Sequence, residues 1–141
     1  MPELLVTGEV RADPSTTFAA FTSAAALARW WWPHIPDTTY AVDARVGGAY
    51  EIRSQAAGIG VRGELLELDE PHFIQMTWIW LDGAEEGPTE EVRVGFTERG
   101  DGTLVTVEHS LAPASGDGSD LRQGWESVLG RLAGVPSPTA S

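Results

Sequence analysis

Apolar and polar residues alternate with a period of two along most of this chain, and three stretches break the alternation. Residues 4–10 start it, with Leu4, Val6 and Val10 on one face of a strand. From Tyr40 onwards the same period predicts strands at about 40–46, 49–56, 59–68, 73–81, 90–99 and 103–111. The separators carry turn chemistry: Gly47-Gly48, Gly58, Asp69-Glu70-Pro71, the run DGAEEGP, and Gly100-Asp101-Gly102. Short turns between six successive strands imply an antiparallel meander, and the N-terminal strand makes seven. Val92, Val94 and Phe96 share one face of it, as do Ile74, Met76, Trp78 and Trp80.

The three exceptions have helical spacing. Asp13-Pro14 starts the first, since Asp13 can cap and Pro14 suits the first helical position. Phe18 and Phe21 lie on one side of it. Ser23 caps a second short helix through Ala24–Leu27, and Pro33 ends that helix at or before Trp32. The third runs over 119–133, with Ser119 as its cap and Asp120 in its first turn, where the helix dipole favours an acid. Its apolar stripe is Leu121, Trp125, Val128, Leu129 and Leu132. Gly124 and Gly130 sit inside it at a cost of about 1 kcal/mol each, which suggests close packing or space kept open. The reading is an α+β domain over residues 1–135, with a frayed tail at 136–141. It comprises a curved antiparallel seven-stranded sheet, two short helices and one long C-terminal helix. One helix laid on a curved sheet leaves a cavity between them.

Composition narrows the function. The 141 residues are 42% hydrophobic and 21% charged, ordinary for a globular protein. No apolar run approaches the ~20 residues of a membrane span, and the start MPELLVTGEV lacks the pattern of a signal peptide, so a cytoplasmic location is expected. Cysteine is absent, which excludes disulfides and thiolate chemistry. The net charge is −12, and all nine basic residues are arginine. That argues against nucleic acid and anionic membrane as partners. Arginine in place of lysine fits a GC-rich bacterial genome. No pattern calls for a cofactor or metal: His34, His72 and His109 form no HxxxH or HExxH spacing.

The stretch ARWWWPHIP places three tryptophans in succession, and no regular element points three consecutive side chains the same way. Leu27, Trp30 and Trp31 share a helical face as core anchors, whereas Trp32 falls off it and should rim the cavity. The set Ile74, Met76, Trp78 and Trp80 is assigned to the concave side of the sheet, towards Trp125. His34, beside the aromatic cluster, is the best proton-transfer candidate, while His72 is expected at the surface and His109 opposite in direction to Glu108. Asp43, Glu51 and Glu64 should face water; Asp82, Glu85, Glu86, Glu90 and Glu91 read as a solvated turn. Arg45, Arg53 and Arg62 could pair with these acids, or one could enter the cavity to hold a carboxylate.

Read in order, the blocks DPSTTFAAFTSAAALARWWWP, VGGAYEI, VRGELLELDEPHFIQMTWIW, GPTEEVRVGFTERGDGTLVTVEHS and LRQGWESVLGRL resemble the domain family named for the activator of the 90-kDa heat-shock protein's ATPase. That family lies within the START-like, or SRPBCC, helix-grip superfamily. The resemblance spans about residues 5–133, with one departure: Trp32 stands where the family often has glycine. It implies a deep cavity under the C-terminal helix, in a family of co-chaperone domains and small-molecule carriers with enzymes among its relatives. Fold alone does not fix the activity. The leading expectation is therefore a binding protein for a small apolar or aromatic molecule. Its ligand-binding set is Trp32, His34, Tyr50, Met76, Trp78, Trp80, Trp125 and Leu129. A cyclase- or hydrolase-like enzyme using His34 or His109 is the first alternative, and a co-chaperone-like interaction domain is the second. A homodimer or a chaperone contact stays open as a partner class.

Overall fold

The computed structural model describes residues 3–112 and 118–134. The tail expected at 136–141 lies outside them. Seven strands form one antiparallel sheet: β1 (Glu3–Val10), β2 (Thr38–Val42), β3 (Ala49–Ser54), β4 (Ile59–Asp69), β5 (Phe73–Asp82), β6 (Glu85–Arg99) and β7 (Gly102–Ser110). Their order is β1-β7-β6-β5-β4-β3-β2, so the meander runs from β2 to β7 and β1 closes onto β7. The helices are α1 (Pro14–Thr22), α2 (Ala24–Trp30) and α3 (Ser119–Gly134). This is the α+β helix-grip arrangement the sequence implies.

The helix starts follow local chemistry. Asp13 accepts a hydrogen bond from the Thr16 amide at 2.7 Å, and Ser23 accepts one from Ala26 at 3.3 Å. Ser119 is the first residue inside α3, one position past the cap expected of it. Gly118 precedes it with φ +78° and accepts the Arg122 amide.

Two strand limits depart from the expectation. β2 covers 38–42, because the chain turns at Asp43: a Cβ at Gly48 would stand 2.0 Å from the Asp43 carbonyl. β6 begins at Glu85, so most of the DGAEEGP run is strand and only Gly83-Ala84 makes the turn. The β5–β6 register shifts between Ile79 and Leu81, where Gly87-Pro88 stands opposite Trp80. Proline has no amide to give a ladder and is tolerated at such an irregularity.

The core lies between the inward sheet face and the helices. Leu4, Val6 and Val10 of β1, Val92, Val94 and Phe96 of β6, and Val105 and Val107 of β7 are all buried. From α3, Trp125, Val128, Leu129 and Leu132 pack against them, and Leu121 is half-buried at the near end. Gly8 interrupts the apolar face of β1 for a reason: a Cβ there would meet the Leu129 Cβ at 3.2 Å. α3 therefore sits closely on β1 through one glycine, while Gly124 and Gly130 on α3 face open space.

Two stability results are expected. A chain ending at Gly118 loses the α3 face, at ~1.5–3 kcal/mol for each large apolar group, and should show no cooperative urea transition. Gly130→Ala adds a Cβ where nothing lies within 4 Å, so its melt should rise by up to ~1 kcal/mol through helix propensity.

Candidate functional site

All six tryptophans form one connected cluster. Trp31 is its hub, with ring centroids 5.3 Å from Trp30, 6.3 Å from Trp32, 6.1 Å from Trp78 and 5.3 Å from Trp125. Trp32 reaches on to Trp80 edge-to-face at 5.9 Å. Trp78 lies 5.2 Å from Trp125.

The three consecutive indoles are accommodated by ending the helix. Trp30 closes α2, is 1% exposed, and donates its indole N–H to the Ala20 carbonyl at 3.1 Å. Trp31 is the cap residue; its amide still bonds to Leu27 at 2.8 Å, and the Tyr40 hydroxyl donates to its carbonyl. Trp32 then takes φ +53°, the left-handed region that glycine occupies without cost. This one backbone reversal turns the third indole away from the first two and towards Trp80.

The cluster surrounds a cavity of about 530 Å³ between the sheet and α3. Trp31, Trp32, Trp78, Trp80 and Trp125 form its aromatic walls, and Glu90 and Asp120 are its acidic groups among the described residues. Gly87 and Pro88 contribute the strand irregularity, and Gly124 the open flank of α3. The lining contains no arginine among the described residues. Arg62 instead pairs with Glu86 at 2.6 Å and Arg45 with Asp43 at 2.8 Å, both exposed.

Of the residues singled out from the sequence, Trp32, Trp78, Trp80 and Trp125 meet at this cavity. Tyr50 and Met76 lie elsewhere, on a small void of about 30 Å³ under β3 and β4. Tyr50 is held there by donating its hydroxyl to the Thr77 carbonyl at 2.6 Å, and burial pushes its phenol pKa up. Leu129 packs into the core against Gly8, and His34 is exposed on the loop after Trp32.

Glu90 marks a correction, whereas His109 points opposite to the exposed Glu108 as expected. Local composition groups Glu90 with a solvated acidic turn, yet it is 5% exposed and accepts from the Ala112 amide at 2.8 Å. His109 is fully buried, with Nε2 2.8 Å from Glu90 Oε1 and Nδ1 3.1 Å from Trp125 Nε1. An indole nitrogen can only donate, so His109 Nδ1 must accept. The ring proton therefore sits on Nε2 and points at Glu90. Each Glu90 oxygen then accepts a hydrogen bond, one of them from a neutral imidazole. Burial acts in the same direction and lowers the His109 pKa, with Glu90 opposing it.

The signal for both residues is present in the alternation. Glu90 continues the buried face of Val92, Val94 and Phe96, and His109 continues that of Val105 and Val107. Glu90 stands directly across from Trp78, and His109 across from Val92.

Two indole N–H groups, those of Trp31 and Trp78, have no hydrogen-bond partner among the described residues, and both nitrogens are buried rather than exposed to the cavity. Each belongs to a residue only 4% exposed. Leaving such a donor unsatisfied costs about 1–3 kcal/mol.

Comparison with known proteins fits this geometry. The family model described as Activator of Hsp90 ATPase homolog 1-like protein matches residues 11–135. The chain belongs to this family. Trp31 and Trp32, the sheet from β2 to β7 and all of α3 fall inside the match. None of the curated proteins compared matches the chain. Among solved structures it is similar to an HSP90 activator from Plasmodium falciparum, at 26% identity and TM-score 0.73, covering 94% of each chain. It is also similar to the Aha1 dimer from Colwellia psychrerythraea, at 18% identity and TM-score 0.75, covering 100% of each. DynU16, a protein of the dynemicin biosynthetic locus, aligns at 20% identity and TM-score 0.78 over 94% of this chain, which spans only 46% of DynU16. Among the described residues no helix is long and apolar enough to cross a membrane.

Stability measurements test the site's construction. Trp30→Ala should cost about 3–5 kcal/mol in urea melts, as a large core aromatic does. At position 32, Trp32→Gly should be about 1 kcal/mol more stable than Trp32→Ala, because only glycine is relaxed at positive φ. A pH dependence is also expected. The unfolded chain protonates His109 near 6.5, whereas the folded site holds the ring neutral to a lower pH. Stability is full above that value and falls as pH drops below it, until the depressed folded pKa is reached. Urea midpoints from pH 7.5 to 5 should show this decline, and His109→Gln should flatten it while lowering stability at pH 7.5.

Proposed function

We propose that this chain binds a small apolar, aromatic molecule in the cavity between the sheet and α3. The observation that carries the reading is the cavity of about 530 Å³ walled by five indoles. A core that served packing alone would fill such a space. A ligand with a flat apolar body would fill it and stack against these walls. Trp32 and Trp80, half-buried and edge-to-face, would form the mouth, with Trp125 and Trp78 as the inner walls. His34, Tyr50, Met76 and Leu129 would act outside this contact shell.

One observation favours a second reading, an enzyme on the same scaffold: Glu90 and His109 make a buried carboxylate–imidazole pair at the cavity wall. Trp125 occupies the far nitrogen of His109, so Glu90 is the member of the pair that can meet a bound molecule. A chaperone contact or a homodimer rests on the two relatives so described. The large exposed hydrophobics among the described residues, Leu5 and Val46, stand at opposite ends of the sheet and form no shared patch.

The test is a fluorescence titration with 2-acetylnaphthalene and with 2-isopropylnaphthalene, which has the same shape but no acceptor. Both should quench the tryptophans, and Trp80→Ala, at the mouth, should weaken both by up to about tenfold through the lost stacking contact. Failure of both probes to bind would overturn the binding reading.

A further inference from the structure

Two residues other than glycine take positive φ among the described residues, Trp32 at +53° and Asp37 at +65°. They stand at the two ends of the turn that joins α2 to β2. That turn is tied down at its feet. On one side the Tyr40 hydroxyl donates to the Trp31 carbonyl. On the other the fully buried Ser54 donates to the Pro36 carbonyl at 2.8 Å, and the Thr38 hydroxyl to the Ile35 carbonyl at 2.8 Å. Between these anchors Pro33 and His34 are exposed, and the Ile35 amide bonds back to the Trp32 carbonyl at 3.1 Å. Of the five indoles that line the cavity, Trp31, Trp78 and Trp125 are buried, whereas Trp32 and Trp80 are half-buried. Trp32 meets Trp80 edge-to-face at 5.9 Å, linking the turn to β5 across the mouth. The gain from such a contact and the cost of positive φ for a bulky residue are of the same order. Backbone strain of this kind gathers at ligand clamps and switch segments.

We propose that Trp32 is a gate on the cavity. Against Trp80 it closes the mouth; rotated about its own backbone to negative φ, it leaves Trp80 and opens the way to the Trp78 and Trp125 walls. Opening loses the ring contact and releases the strain, so the two positions lie close in free energy. The proposal rests on the binding reading above and adds how that same site exchanges its ligand. The gate closes over the empty and the filled cavity alike, so it slows both entry and exit. A fixed wall behaves differently: its removal costs contacts with the ligand and speeds release alone.

The experiment is stopped-flow tryptophan fluorescence with 2-acetylnaphthalene on the full chain and on its Trp32→Gly variant. Glycine keeps the backbone reversal without strain and removes the indole. An open position held by about a tenth of the molecules or fewer slows association by the same factor. Trp32→Gly should therefore associate about tenfold faster or more, with release quickened at least as much. Trp32→Asn, which also tolerates positive φ, is the second variant and should behave the same way. Urea melts check that both are folded. An unchanged association rate with faster release makes Trp32 a fixed wall; it overturns the gate and leaves the binding reading standing. Rates unchanged in both directions overturn it equally. If 2-acetylnaphthalene binds neither the native chain nor the variants, the binding reading falls and the gate with it.

Discussion

Three consecutive tryptophans cannot share one face of any regular element, and the site depends on how the chain resolves that constraint. The helix ends, the second indole becomes the cap, and the third is thrown into the left-handed region. Trp31 is left at the centre of a cluster joining α2, β5 and α3. Trp32 is carried to the opposite rim beside Trp80. A straight continuation of α2 would separate these rings by about 100° steps and leave no wall. The strain of a non-glycine residue at positive φ, of order 1–2 kcal/mol, is held by the packing on both sides.

The same cluster couples stability to the cavity. Trp125 anchors α3 to the sheet and fixes the His109 tautomer. His109 in turn orients Glu90, which stands across from Trp78. Polar networks of this kind, fully bonded, make a buried region specific, whereas a partly satisfied one is costly. Here the Glu90–His109–Trp125 chain is bonded at each link and the two indole donors of Trp31 and Trp78 are not.

Much of this is legible in the alternation of the sequence. The strand count, the inward set of β5, the α3 stripe and the placement of Trp32 off the Trp30–Trp31 face all follow from periodicity and helix geometry. Glu90 is misread because its neighbours Glu85, Glu86 and Glu91 dominate the local composition, although its register with Val92 puts it inside. The β6 start is hidden by Gly87-Pro88, which reads as a turn locally and becomes a strand irregularity only opposite Trp80. His34 is next to the cluster in sequence but exposed in space, whereas His109 enters the polar chain through contacts with residues 16 and 19 positions away. Gly8 is explained only by Leu129, more than a hundred residues on.

The central claim is that the indole-walled space between the sheet and α3 receives a ligand. Its most direct test is a ¹⁵N–¹H spectrum of the tryptophan-labelled protein, in which the indole N–H groups are resolved singly and assigned by substitution. On saturation with 2-acetylnaphthalene, the Trp78 and Trp125 signals should shift through the ring current of the probe, while Trp30, bonded to Ala20 and outside the cavity lining, stays in place. Signals from Trp78 and Trp125 that remain fixed while Trp32 and Trp80 alone respond would place the probe at the surface and contradict the account.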